Sequence, residues 1–209
     1  FYTFREREMI NEIMEETCGA RLTMNYMVAG GVSMDLHPDF QRKVKLFVTQ
    51  FKERITEFDD LITNNIIFQN RMKGVGVRSG EDAISYGCTG PVARGSGVSS
   101  DIRKLYPYDG YDAAVFDEVL EIEGDSYARY LVRLREMHQS IRIIEQLIDA
   151  IPEGDFQAKT KAVLKLPKGE FYTRVETARG ELGVYIVSEG GTTPYRIKFR
   201  SPGFSNLSA

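Results

Sequence analysis

Cysteine is nearly absent from these 209 residues: only Cys18 and Cys88 occur, and they form no CxxC pair. A disulfide framework is therefore excluded, and a reducing, cytoplasmic setting fits. Histidine is as scarce. Neither His37 nor His138 opens an HxxxH or HExxH pattern, so each reads as a satisfied structural residue and no metal centre is expected. No GK[ST] follows Gly95-Ser96-Gly97, and Gly74 to Gly80 has GxGxxxG rather than dinucleotide spacing, so neither a phosphate loop nor an NADH site is expected. No window of about twenty apolar residues exists, which excludes a helical membrane span. The opening residues, with Arg5, Glu6, Arg7 and Glu8, are not a signal peptide. Ser96 and Cys88 lack a histidine nearby in sequence, so a nucleophile has no support. With a formal net charge of −3, nucleic-acid binding is not expected.

What is present is an ordinary globular composition, 42% hydrophobic and 27% charged, long enough to bury a core. Met9, Ile10, Ile13 and Met14 recur at helical spacing, and Gly19 is placed to cap a first helix. Gly30-Gly31 breaks regular structure over 21–36. Phe40, Val44, Phe47, Phe51, Ile55, Phe58 and Ile62 predict a long amphipathic helix over 40–64. Ser79 to Asp82 resembles a capping box for a short helix that Gly87 ends. Asp125-Ser126 can cap a third long helix over 126–150, with Leu131, Leu134, Met137, Ile141, Ile144 and Ile148 as its buried stripe and Pro152 as its stop. Beyond 169 the apolar spacing changes from helical to alternating, and three strands follow. The fold class predicted is α+β. A helical core over 1–152 includes a structured glycine-rich loop at 87–110; a connector at 153–168 leads to an antiparallel β meander over 169–209.

Two non-helical segments combine arginine with glycine: Arg21 to Asp35, and Arg94 to Tyr108. Glycine lets a backbone approach a partner closely, and a partly buried arginine needs an anionic or carbonyl partner. The alternative for the second segment is internal ion pairing, Arg103 with Asp101 or with Asp112. The arginines between Arg129 and Arg142 read as a solvated helix face. Asp59-Asp60, Glu15-Glu16 and Glu6/Glu8 read as helix-surface carboxylates.

Three stretches carry a resemblance. The first is Gly19-Ala20-Arg21 through Tyr26 and Gly30-Gly31-Val32 to Asp35-Leu36. The second runs from Tyr86-Gly87-Cys88-Thr89-Gly90-Pro91 through Arg94, Asp101 and Arg103 to Tyr108; the third runs from Pro194-Tyr195-Arg196 to Pro202-Gly203-Phe204. Together they resemble the D-subunit family of bacterial NADH–quinone oxidoreductase (respiratory complex I), which is homologous to nickel–iron hydrogenase large subunits. The chain is shorter than the family's own members and reads as an internal fragment of one. Hydrogenase large subunits hold their metal with two CxxC pairs; this chain has none. The resemblance implies that Arg21, Thr23, Tyr26, Arg94, Asp101 and Arg103 lie near a partner's cluster or in the quinone chamber, with no catalytic residue in the fragment. Thr23 stands where many family members have a histidine, and Val28 where they have an arginine. Since threonine cannot titrate, a low-potential, less pH-sensitive cluster is implied, suited to a quinone such as menaquinone.

The function implied is that of the quinone-chamber component of a proton-translocating enzyme. It couples electron transfer from a partner's 4Fe–4S cluster to quinone reduction, and the isolated fragment would be inactive. No cofactor is bound by this chain itself. The implied partners are the cluster-bearing B subunit, the C subunit and the membrane-embedded H subunit, on the cytoplasmic side of the bacterial inner membrane, with membrane contact only through partners. Two alternatives stand beside this: a component of a related membrane-bound hydrogenase or ferredoxin-dependent complex, and a non-redox helical interaction module.

Overall fold

The computed structural model describes residues 2–209, the side chain of Tyr2 excepted. The chain divides into two compact units that do not follow chain order: Phe1–Thr56 with Ile141–Leu164, and Glu57–Ser140 with Lys165–Ala209.

In the first unit, helix α1 (Tyr2–Cys18) ends where Gly19, at φ +74, turns its amide back to the Glu15 carbonyl at 2.8 Å. A small antiparallel hairpin follows, β1 (Met27–Val28) paired with β2 (Gly31–Val32). The glycine pair thus turns a hairpin rather than merely interrupting structure. It also admits the connector. The Val32 amide donates to the Phe156 carbonyl at 3.1 Å and the Ala158 amide to the Gly30 carbonyl at 2.9 Å. A Cβ on Gly31 would stand 2.3 Å from the Phe156 carbonyl oxygen, so only glycine fits. Helix α2 (Phe40–Phe58) contributes Phe47, Val48 and Ile55 to the core, and Phe47 stacks on Phe51 with centroids 5.1 Å apart. Ion pairs Lys45–Asp149 (2.5 Å) and Lys52–Glu145 (2.6 Å) fix the register with the tail of the last long helix.

In the second unit, α2 relaxes into a π-helical turn over Asp59–Thr63, which carries the expected element to Asn64. Short helices follow: α3 (Ile66–Met72), capped by Asn65; α4 (Gly80–Ser85), capped by Ser79; α5 (Pro91–Arg94), with proline at its first turn; and α6 (Ile102–Leu105), capped by Asp101. Each cap is a short oxygen side chain that accepts from amides otherwise left without partners, save at α5, where proline itself removes one amide. Helix α7 (Ser126–Leu147) starts on Asp125, whose carboxylate accepts the Ala128 amide at 2.7 Å. Its buried residues are Ala128, Val132, Leu134, Ile141 and Ile143, with Ile148 just beyond. The stripe expected from sequence was partly misplaced: Val132 and Ile143 are inside, whereas Ile144 is exposed.

The meander has three antiparallel strands in order, β3 (Gly169–Thr177), β4 (Gly180–Ser188) and β5 (Arg196–Arg200). This is the α+β arrangement expected. Its inward face is the charged one. The face bearing Arg174, Glu176, Glu181 and Arg200 meets the rest of the unit, while Tyr195 and Phe199 stand 73% and 69% exposed. A last helix, α8 (Pro202–Ser208), closes the chain. The β3–β4 turn packs hard on the glycine-rich loop: a Cβ on Gly180, at φ +123, would lie 2.7 Å from the Thr89 carbonyl carbon. Gly180→Ala is therefore expected to lower stability by about 2 kcal/mol or more, from left-handed strain and backbone collision together. Denaturant unfolding checks it.

Candidate functional site

Gly90, at φ 68, starts the single turn of α5, and Arg94 ends it with its side chain 1% exposed. The loop behind is fixed by the Glu121 amide on the Arg94 carbonyl (3.0 Å) and the Gly124 amide on the Gly95 carbonyl (2.9 Å). Two carboxylates meet the guanidinium. Arg94 Nε donates to Glu136 Oε1 of α7 at 2.7 Å, and Nη2 donates to Glu176 Oε1 of β3 at 3.0 Å. Nη1 is buried without a hydrogen bond. Glu176 is further engaged: its Oε2 accepts the Ile102 amide at 3.3 Å, and the Tyr108 hydroxyl accepts its backbone amide at 2.8 Å.

Beside this triad lies a second pair. Arg103 donates from Nε to Asp101 Oδ1 at 2.9 Å and from Nη2 to Oδ2 at 2.7 Å, a bidentate fork on a buried carboxylate. Asp101 also accepts the Arg103 amide, while Glu118 accepts the Ser100 and Asp101 amides at 2.8 and 3.0 Å. Arg103 sits over the rings of Phe116 (4.9 Å) and Tyr111 (5.9 Å).

The electrostatics separate the carboxylates. Burial pushes Asp101 upward, but hydrogen bonds and charge from Arg103, with charge from Arg94, outweigh it and hold the group below its ordinary value. For Glu136 and Glu176 burial wins over Arg94, and both move up. Asp101 therefore contributes stability above the ordinary carboxylate pKa, and this is lost as pH falls through its depressed value.

The site residues expected from sequence fall into two groups. Arg94, Asp101 and Arg103 come together, and Arg103 pairs internally with Asp101 rather than Asp112. Arg21, Thr23 and Tyr26 belong to the other unit. There Arg21 pairs with Glu15 at 2.9 Å and with Glu8. Thr23 is held at φ 53, its hydroxyl donating to the Leu22 carbonyl, and the Tyr26 carbonyl accepts the Ser33 amide at 2.8 Å. A β-branched residue in the left-handed region is a genuine outlier, whereas histidine is among the residues enriched there.

Sequence reasoning did not single out Glu136, Glu176 or Glu118 as members of the site. The available signal was the need of a buried arginine for counter-ions, which says nothing about where in the chain they come from. Arg129 also departs from the solvated face expected of it: it donates to the carbonyls of Gly124 (2.8 Å) and Gly76 (2.9 Å). Burial pushes the Cys88 thiol up, which disfavours its thiolate. Among the described residues, no group of three or more His, Cys, Asp or Glu is placed to hold a metal, and no helix is long and apolar enough to cross a membrane.

The profile of the family described as "Respiratory-chain NADH dehydrogenase, 49 Kd subunit" matches residues 1–165 and 160–209. The chain is 53% identical over 209 residues to the C/D subunit of NADH-quinone oxidoreductase from Bacteroides fragilis, covering all of this chain and 39% of that protein. It is 47% identical over 207 residues to the D subunit of NADH-quinone oxidoreductase from Bacillus cytotoxicus, covering 99% of this chain and 57% of that protein. It thus spans about half the length of the curated relatives it matches or less.

Arg94→Met removes the charge between Glu136 and Glu176. Breaking a buried pair in this way costs about 3–5 kcal/mol, equivalent to roughly 10 °C in melting temperature for a chain of this size. Without Arg94 both carboxyls rise further above their unfolded values. The deficit is expected to be full in alkaline solution and to shrink as pH falls toward the ordinary glutamate range, where both are neutral. Thermal melts at the two pH extremes check this.

Proposed function

Because the chain belongs to the family of the 49 kDa subunit of respiratory-chain NADH dehydrogenase, we propose that it serves as the quinone-chamber component of a proton-translocating NADH–quinone oxidoreductase. In this reading electrons reach the quinone from a 4Fe–4S cluster held by the B subunit. The C and H subunits are further partners, and the assembly lies on the cytoplasmic face of the bacterial inner membrane, which this chain touches only through partners. The quinone-binding and proton-coupling groups are the part supplied by this protein.

The observation that carries the proposal is the surface of the Arg21 to Asp35 segment. Leu22, Met24, Met27 and Met34 are all exposed, Met27 to 80%. Contiguous apolar exposure of this kind marks an interaction surface, and methionine adapts readily to a partner. In the other unit, Tyr195, Ile197 and Phe199 are exposed in their turn, and each surface by itself speaks for a component of an assembly rather than a stand-alone module. Among the expected site residues in this segment, Arg21 is already neutralised by Glu8 and Glu15, which leaves Thr23 and its apolar neighbours for the partner.

The test is Thr23→His in the assembled complex. An imidazolium near the cluster favours its reduced state; a unit charge at about 4 Å and an effective dielectric of about 20 contributes roughly 4 kcal/mol before relaxation. The threonine hydroxyl offers about 1 kcal/mol at most. The left-handed backbone at this position accepts histidine. Redox titration followed by electron paramagnetic resonance is expected to show a raised midpoint potential that falls with increasing pH. An unchanged, pH-independent potential in a properly assembled variant would overturn the placement of this segment against the cluster.

A further inference from the structure

We propose that Glu136 and Glu176 form a proton-holding pair, sharing one proton at neutral pH across the single guanidinium of Arg94. The inference rests on the geometry of the second unit and does not depend on the proposed quinone-chamber role.

The charge count carries it. The ionic groups that meet at this point are the carboxylates of Asp101, Glu136 and Glu176 and the guanidiniums of Arg94 and Arg103. Three negative groups face two positive ones, leaving one negative charge in excess. Four further groups stand at the margin and cancel in pairs: Arg133 of α7, which acts on Glu136, with Glu118, which accepts the amides leading into α6; and Glu181, cross-strand from Glu176, with Arg174, 3.8 Å from its carboxylate. Tyr108 and Tyr111 complete the surroundings, and burial raises the Tyr108 phenol.

The excess charge cannot be assigned to Asp101. Its two oxygens are both held by Arg103, in a fork from Nε and Nη2, and Arg103 acts on Glu136 through its charge alone. Arg94 is left to serve two glutamates: its Nε donates to Glu136 Oε1, and its Nη2 lies 2.7 Å from that same oxygen and donates to Glu176 Oε1 at 3.0 Å, so neither glutamate has both oxygens held by Arg94. The side chains are 4% exposed for Glu176 and 18% for Glu136. Two carboxylates on one cation, away from water, cannot both ionise at the ordinary carboxylate value, because the second charge meets both desolvation and its like neighbour. Burial drives both carboxyls up while Asp101 is driven down, in agreement with this division. Glu136, the more exposed of the two, is the side from which the proton exchanges with solvent. The proton belongs to the pair, so its apparent pKa is a property of both residues.

The chain also offers a reason for keeping the proton there. The buried Arg94 Nη1 makes no hydrogen bond and so gives no additional stabilisation to a second full negative charge. Neutralising one glutamate brings the buried cluster to zero net charge, the state that costs least to desolvate.

The experiment uses protein labelled with ¹³C at the glutamate side-chain carboxyl, followed by NMR from about pH 4 to about pH 9, a range that brackets ordinary carboxyls and neutrality. In the unaltered protein, two glutamate resonances should move together in one step well above the ordinary carboxyl range. In Glu136→Gln and in Glu176→Gln, the remaining carboxyl has Arg94 to itself and should titrate at or below that range. Both substitutions preserve shape and an acceptor oxygen, and melting curves report whether each variant is folded. Melting also gives an independent readout. A raised pair adds stability on the acid side that is lost as pH rises through its folded value, and this fall should vanish in both variants. The proposal is overturned if no glutamate titrates above the ordinary range in the unaltered protein. It is equally overturned if the elevated step survives in both single variants, since burial of independent groups then explains it.

Discussion

A guanidinium that has lost almost all its water must be surrounded by anions, and the second unit is organised by how the chain delivers them to Arg94. One comes from the middle of a long helix and one from the far end of a strand, Glu136 and Glu176, 42 and 82 residues away in sequence. Glu176 then reaches the first amide of α6, which places Asp101 and Arg103 beside the triad. Helix, strand and loop are therefore held to one another by polar contacts where a hydrophobic seam would otherwise be expected. Such a cluster is weak as a net source of stability but unforgiving of loss, since removing one member leaves its partners charged and dry. That asymmetry makes the arrangement specific: among the elements that could pack against α5, only those that bring a carboxylate to the right point are tolerated.

Close backbone approach is the second organising device, and glycine provides it in both units. Gly31 lets the connector lie along the small hairpin, while Gly90 and Gly180 let the meander's turn rest on the loop that precedes α5. The two contacts differ in consequence. In the first unit the approach makes main-chain hydrogen bonds and converts a polar linker into an ordered edge. In the second, the Glu181 amide donates to the Thr89 hydroxyl, Arg200 donates to that hydroxyl and to the Gly87 carbonyl, and the turn is fixed through side chains.

Much of the fold was legible because its signals are local. The spacing from Phe40 to Ile62, the caps at Ser79 and Asp125, and the alternation after Gly169 each depend on neighbours within a turn or a strand. The short helices α3, α5, α6 and α8 were not read, since four to seven residues give no period to detect. The stripe of α7 was partly misread because apolar residues at Ile143 and Ile144 offer two candidate faces, and the packing partners decide between them. The site divides in the same way. Arg94, Asp101 and Arg103 stood close in sequence and could be read as one group; Asp101 pairs with Arg103 two residues away. Glu176 was hidden in a strand whose alternation does not say which face turns inward, and here the charged face does. Arg21, Thr23 and Tyr26 were singled out through resemblance. Their own geometry adds the left-handed Thr23, which no spacing rule announces.

The charged inward face of the meander has a consequence for strand register. Glu176 and Glu181 are directly paired across β3 and β4 and lie on the same inward face. A slip of one residue in either strand would present Val175 or Leu182 inward in their place and turn a glutamate out to solvent. In most sheets such a slip is resisted by the loss of apolar burial. Here it would strip an arginine of its counter-charge and release the Tyr108 hydroxyl, which takes the Glu176 amide. The alignment of these strands is therefore enforced by charge and hydrogen bonding, so that a misthreaded meander is rejected by the electrostatics of the interior.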